Sequence, residues 1–212
     1  MAPRRAPSLD SDVRTVLESL GRPSAQPAPP TLVLAVGLPG SGKSTFCRRL
    51  AGEIGAVVLD SDALRRLLFL QPTHLPAENA RLFRAVHAAT RRLVEQGVPV
   101  IIDATNLREA EREPVYAIAD ASGARLLVLC FTAPEAVIVE RLQRRLAGTD
   151  PRDRSTADLD IYRRMAGRVE TPRREHLTID TSSPQAANAA LRSLVAVCKA
   201  HAKAGVGAGA PH

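Results

Sequence analysis

Short continuous apolar runs punctuate this chain. Between them, apolar side chains recur every third or fourth position. The runs 31–36, 56–59, 98–102, 125–131 and 177–180 have strand length and do not alternate with polar residues. Strands of that kind are buried on both faces, as in a parallel sheet covered by helices. A Gly-rich turn at 37–45 opens a helix that runs to 54, and further helices are predicted over 61–70, 76–96, 107–122, 134–147, 157–169 and 184–201. Pro76 stands in a first helical turn, Gly97 just past a last one, and Gly123 stops another. The expected fold class is α/β, a five-stranded parallel sheet with helices on both faces. No internal repeat is visible.

The pattern also divides the chain. Leu9, Val13, Val16, Leu17 and Leu20 follow helical spacing, with Ser8 or Asp10 as cap and Gly21 as stop. A Pro-rich linker, 22–30, follows. Residues 1–30 thus read as an appendage whose helix docks on the domain 31–202, and the Gly/Ala-rich stretch 203–212 as a flexible tail. No apolar run approaches the roughly 18 residues of a membrane span. The arginines of 1–7 precede no apolar segment, so no secretory signal is expected.

At 212 residues there is room for one α/β domain with a full core. Aromatics are 3% and Trp is absent, so Leu, Val, Ile and Ala must build that core, and stacking on nucleobases has little to work with. Cys47, Cys130 and Cys198 are scattered, which suits a reduced cytoplasmic protein and offers neither a disulfide framework nor zinc spacing. His74, His87, His176, His201 and His212 form no metal-ligand pattern. The net charge of +7, carried mostly by Arg, favours an anionic partner. Charge alone does not separate a nucleotide from a nucleic acid or a phosphorylated metabolite.

Chemistry enters with Gly37-Leu38-Pro39-Gly40-Ser41-Gly42-Lys43-Ser44-Thr45, a complete Walker A motif between a predicted strand and a predicted helix. Its glycines let the backbone curl so that successive N–H groups hold phosphate oxygens, and the helix N-terminus adds partial positive charge. Lys43 is expected to reach the β- and γ-phosphates of ATP, and the Ser44 hydroxyl to coordinate Mg2+. Lys43 is one of only three lysines, so its presence in an Arg-rich chain points to a need for a compact ammonium.

Asp60-Ser61-Asp62 ends the second strand, where ligands of open parallel sheets sit. Asp62 is the favoured general base and Asp60 the alternative. A purely local reading has Asp60 or Ser61 capping the helix and Asp62 paired with Arg66. Asp103 ends the third strand as the candidate Walker B acid and metal residue, and Thr105, Asn106 and Arg108 follow as candidate substrate contacts. Asn106 could instead cap the next helix. In the helix from 134, Ile138, Val139, Leu142 and Leu146 mark the buried stripe. At about 100° per residue, Arg141 and Arg145 flank that stripe while Arg144 points outward toward Glu140. Arg152 and Arg154 lie in a charged, breaker-rich loop, 148–156, that reads as a lid.

Together these residues resemble the kinase domain of polynucleotide kinases and the P-loop kinases around it, zeta-toxin-like and small-metabolite kinases included, with an ATP-binding domain of the AAA_33 type. The resemblance spans 31–183 and rests on 37–45, on Asp62 with Arg65 three residues later, on Asp103-Ala104-Thr105-Asn106-Leu107, and on Arg141 with Arg145 before the lid. It implies a P-loop NTPase fold, Asp62 as general base, Arg65 on a substrate phosphate, Arg141 and Arg145 on the phosphates of ATP, and an adenine-binding loop at 181–184. The expected acceptor is a nucleic-acid 5′-hydroxyl or a small metabolite. Two features depart from polynucleotide kinases: Asp60-Ser61 stands where they often carry Asn-Arg, and no attached phosphatase domain is expected.

Three rivals compete. A GTPase would carry Asn-Lys-x-Asp, which the sequence lacks. A mechanical ATPase would carry an acidic pair after the third strand, but Ala104 follows Asp103. A module that binds ATP without transferring it is compatible with the sequence.

Overall fold

The structure, a computed structural model, describes residues 8–21, 30–147 and 155–207, and within these the side chains of 145–147, 155–160 and 201–207 are not described. Its elements are α1 (Leu9–Ser19), β1 (Thr31–Val36), α2 (Lys43–Ile54), β2 (Val57–Asp60), α3 (Ser61–Leu68), α4 (Pro76–Glu95), β3 (Val100–Asp103), α5 (Glu109–Ser122), β4 (Arg125–Thr132), α6 (Glu135–Ala147), α7 (Ser155–Ala166), β5 (His176–Asp180) and α8 (Pro184–Gly207). The five strands form one parallel sheet in the order β2-β3-β1-β4-β5.

The continuous apolar strands have the cause expected of them. Because side chains alternate across a strand, Leu32, Leu34 and Val36 of β1 enter one core while Val33 and Ala35 enter another. The first core is closed by α4, through Leu82, Val86 and Leu93, and by α5, through Val115 and Ile118. The second is closed by α2, through Phe46 and Leu50, and by α8, through Leu191 and Leu194. Helices thus cover both faces, and β1, fully buried, lies at the centre.

Helix α1 belongs to the first core. Ser8 caps it, accepting from the Ser11 N–H at 3.2 Å, and Val13 and Val16 are fully buried. Asp12 accepts two hydrogen bonds of 2.7 Å from Arg81 of α4. The same guanidinium lies 4.8 Å from the Phe69 ring, just past α3. One arginine therefore braces α1 against both α3 and α4.

Some boundaries differ from the sequence expectation. α5 begins at Glu109 rather than 107, because Asn106 adopts a left-handed backbone with φ 46°. α7 starts at Ser155, inside the stretch read as lid. α8 runs to Gly207, through residues expected in the tail; Ala, abundant there, is the best helix former. Residues 1–7, the linker positions 22–29 and the end of the tail, 208–212, lie outside the described residues.

Parallel strands bring their C-terminal ends to one rim. Val36, Asp60, Asp103, Thr132 and Asp180 all stand there. The chain reverses its direction of winding beside β1, so the crevice for a ligand falls at the end of β1.

Candidate active site

The motif 37–45 forms the turn between β1 and the first residues of α2. The Gly37 N–H donates to Thr105 O at 3.0 Å, so the turn after β3 holds its start. At Gly40, φ is 78° and an added Cβ would lie 2.9 Å from Cγ2 of Ile138 on α6. Left-handed backbone and close packing both demand glycine here. Pro39 follows β1 in the same turn and Thr45 lies in the first turn of α2. Lys43 is buried, and its Nζ donates to Leu38 O at 2.9 Å, across the mouth of the turn.

Beside it, Ser44 lies close enough to the Asp103 carboxylate to favour its charged form. Asp103 is 3% exposed, and its Oδ2 is buried with no hydrogen-bond partner among the described residues. Burial pushes the Asp103 carboxyl up from its ordinary range, against the opposing influence of nearby Ser44 and of the Lys43 charge, and nearby Asp60 adds to the rise. The two acids are neighbours because β2 and β3 pair Asp60 with Asp103 in register.

The two carboxylates at the start of α3 divide their work. Asp60 is the N-cap: one oxygen accepts from the N–H groups of Asp62 and Ala63 at 2.9 and 3.1 Å. Asp62 is exposed, and among the described residues its carboxylate makes no ion pair with Arg66 or any other cation.

Two expected substrate contacts are hydrogen-bonded within the protein. Arg65 is only 6% exposed. Its Nη1 donates to Glu78 and its Nη2 to Asn79, both on α4. Glu78 also accepts from the N–H and hydroxyl of Thr73 and from the His74 N–H. Burial opposes its charge, yet these donors hold its pKa down to about 2. Arg65 thus secures the connection from α3 to α4. Asn106, 3% exposed, donates from Nδ2 to Ala35 O at 2.8 Å. It pins the end of β1, and the cap of α5 is Arg108.

On α6, Arg144 pairs with Glu140, as the helical spacing requires. Arg141 turns the other way. Its guanidinium reaches Gly40 O at 3.4 Å, Thr181 Oγ1 at 3.2 Å and, from Nη2, Thr181 O. Arg145 lies on α6, and its side chain is not among those described; Arg152 and Arg154 lie outside the described residues. Arg108 pairs with Glu111 at 2.8 Å and is largely exposed.

Sequence reading singled out neither Arg112 nor Glu109. Arg112 is fully buried and donates to Glu109 and to the carbonyls of Asn106, Leu107 and Glu170. This knot joins the turn after β3 to the segment after α7. Its one sequence signal is the i,i+3 acid–base spacing, which an exposed pair shares.

A family model described as an AAA domain, AAA_33, matches residues 32–172, from β1 to beyond α7. The chain belongs to this AAA domain family. Solved structures share its P-loop kinase-like architecture. The structure of APE1195 superposes with a TM-score of 0.67 at 23% identity, over 85% of this chain and 99% of that one. The APS kinase CysC of Mycobacterium tuberculosis, bound to AMPPNP and APS, gives 0.60 at 18% identity, over 83% and 99%. A chain of the Pnkp1/Rnl/Hen1 RNA repair complex gives 0.54 at 25% identity, over 73% of this chain and 50% of that one. These likenesses show the fold, a P-loop kinase-like architecture of the kind the sequence led one to expect. No curated protein matches the chain. Among the described residues, no helix is long and apolar enough to cross a membrane.

Proposed function

We propose that this protein is an ATP-dependent kinase that transfers the γ-phosphoryl group of ATP to a hydroxyl acceptor by a polynucleotide-kinase-like mechanism. The observation that carries the reading is the head of α2: Lys43 and Ser44 stand beside Asp103, whose Oδ2 is buried without a partner. An orphaned carboxylate oxygen next to a serine hydroxyl fits Mg2+, which prefers hard oxygen donors. Ser44 and Asp103 would hold the ion, and when bound it neutralises charge on the β- and γ-phosphates.

The protein's own groups supply the rest. Backbone N–H groups of 37–45, where Gly37, Pro39, Gly40, Ser41, Gly42 and Thr45 shape the turn, and the Lys43 ammonium bind the triphosphate. Asp62, exposed at the rim and without an ion-pair partner among the described residues, accepts the proton of the acceptor hydroxyl. The acceptor oxygen then bonds to the γ-phosphorus, the bond from that phosphorus to the bridging oxygen breaks, and ADP leaves. We assign Arg145, one turn beyond Arg141, to the charge on the phosphoryl group in flight. The three free cysteines suit a reducing compartment, and we place the protein in the cytoplasm.

Between the two acceptor classes, the placement of Arg65 favours a small hydroxyl-bearing metabolite or nucleoside. A 5′-hydroxyl of nucleic acid comes with a neighbouring phosphate, and the guanidinium expected to hold that phosphate is committed to Glu78 and Asn79.

The test is transfer from γ-labelled ATP to two acceptor sets, small alcohols with nucleosides and 5′-hydroxyl oligonucleotides across a salt series, with Lys43→Ala as the inactive control. Labelled small acceptors and unlabelled oligonucleotides support the reading. Oligonucleotides labelled at the 5′ end, with binding that weakens as salt rises, would reverse the acceptor assignment. ATP bound but transferred to nothing would leave an ATP-binding module.

A further inference from the structure

We propose that Thr181 is a positioning residue for the phosphate-binding turn: with Arg141, it locks the Ser41–Gly42 peptide so that the Gly42 N–H is presented to the phosphates. This rests on the reading of 37–45 as the ATP site. The resemblance implied adenine contacts for 181–184, whereas the hydrogen bonds of Thr181 point to the other end of the nucleotide.

Thr181 follows β5 and is 4% exposed. Its N–H donates to Thr132 O at 2.9 Å, which fixes it to the end of β4. Its Oγ1 lies 2.7 Å from Ser41 O, 3.1 Å from Thr132 O and 3.2 Å from Arg141 Nη1. A hydroxyl has one proton and two lone pairs, and a guanidinium only donates. Arg141 therefore fills a lone pair, and the proton goes to the nearer carbonyl, that of Ser41.

A planar trans peptide makes this matter. The Ser41 C=O and the Gly42 N–H belong to one peptide plane and point in opposite directions. Anchoring the carbonyl on Thr181 turns the N–H away from Thr181. Contact removes the remaining slack: Gly42 has φ 83°, and a Cβ there would lie 3.2 Å from both Cβ and Oγ1 of Thr181. The second arm of Arg141 donates to Thr181 O. Arg141 is thus wedged between α6, the turn and the end of β5, and acts on phosphate binding through the backbone it holds.

Thr181→Val keeps the shape that fills the space beside Gly42 and deletes the hydroxyl. It leaves Ser41 O and one Arg141 donor without this partner in a buried place. ATP affinity should fall by about 10- to 100-fold. AMP, which lacks the β- and γ-phosphates, should bind within about twofold of wild type. Thr181→Ser, which restores the hydroxyl, should recover most of the ATP affinity, and Arg141→Met should reproduce the selective loss.

The experiment is calorimetric titration of the full chain and the three variants with ATP, ADP and AMP in magnesium buffer, with folding checked by circular dichroism. Selective loss of ATP affinity with serine rescue is the expected result. ATP affinity unchanged in Thr181→Val, or equal losses for ATP and AMP, overturns the proposal. If Thr181→Val does not fold, Arg141→Met decides by the same criterion. A wild-type chain that binds no ATP overturns the ATP-site reading itself.

Discussion

Replacing Arg112 with Met should unfold the protein at a markedly lower temperature, though Arg112 touches none of the residues assigned to phosphate binding or proton transfer. Arg112 has no solvent exposure, and the Glu109 side chain is 10% exposed. Its guanidinium donates to Glu109 Oε2 at 2.9 and 2.6 Å, to the carbonyls of Asn106 and Leu107 at 2.9 Å each, and to Glu170 O at 3.0 Å. Methionine preserves most of the buried volume, so the cavity contribution is small. What remains is a buried carboxylate without its cation, with, among the described residues, only the Arg173 N–H as a side donor at 3.4 Å. Removing one partner of a buried ion pair costs about 3–5 kcal/mol. In a domain of this size each kcal/mol moves the midpoint by about 2–4 °C, so a fall of roughly 6–20 °C is expected. The exposed pair Arg144–Glu140, at 77% and 56% exposure, is the internal control. Arg144→Met should cost about 0.3–0.5 kcal/mol, a shift under about 2 °C. Adding Glu109→Gln to Arg112→Met removes the orphaned charge and should recover part of the loss. Calorimetry of the four proteins measures all of this. A fall under about 2 °C for Arg112→Met, or equal falls for Arg112 and Arg144, would refute the argument from burial.

Asp62→Asn should lower kcat by about 10²- to 10⁴-fold with ATP affinity little changed, whereas Asp60→Asn, which keeps a competent cap, should change stability little. A large rate loss confined to Asp60→Asn in steady-state assays would show that the proton acceptor is misassigned. Lys43→Ala should abolish transfer while circular dichroism stays native; full turnover in a folded variant would remove the phosphate-site assignment. The Glu78 carboxyl, held at about 2 against an ordinary 4.5, stabilises the native state above the ordinary value and ceases to do so as pH falls toward 2. Denaturant melts between those pH values should therefore show a smaller pH slope for Glu78→Gln than for wild type, and equal slopes would reject the role of this group.

The strands, most helices and the phosphate turn were legible in the residues because each is specified locally. Apolar runs of strand length, Gly97 and Gly123 beyond helix ends, and Gly37 to Ser44 in unbroken succession report backbone conformation within a few residues. Helical spacing on α6 likewise set Arg144 toward Glu140 and Arg141 toward the opposite flank. What the arginines do was decided elsewhere. The resemblance implied a substrate contact for Arg65, and only the tertiary structure shows Glu78 and Asn79 arriving from the next helix to accept from its two Nη groups. Arg112 looked like any surface i,i+3 pair until Glu170 and the turn after β3 closed over it. Thr181 meets Ser41 across 140 residues of chain. That meeting exists because the sheet places β1 beside β4 and β4 beside β5, delivering their C-terminal ends to one rim. Local sequence states which side chains can donate and accept. Strand order and helix packing settle which of them meet, because a hydrogen bond depends on distance through space and not along the chain.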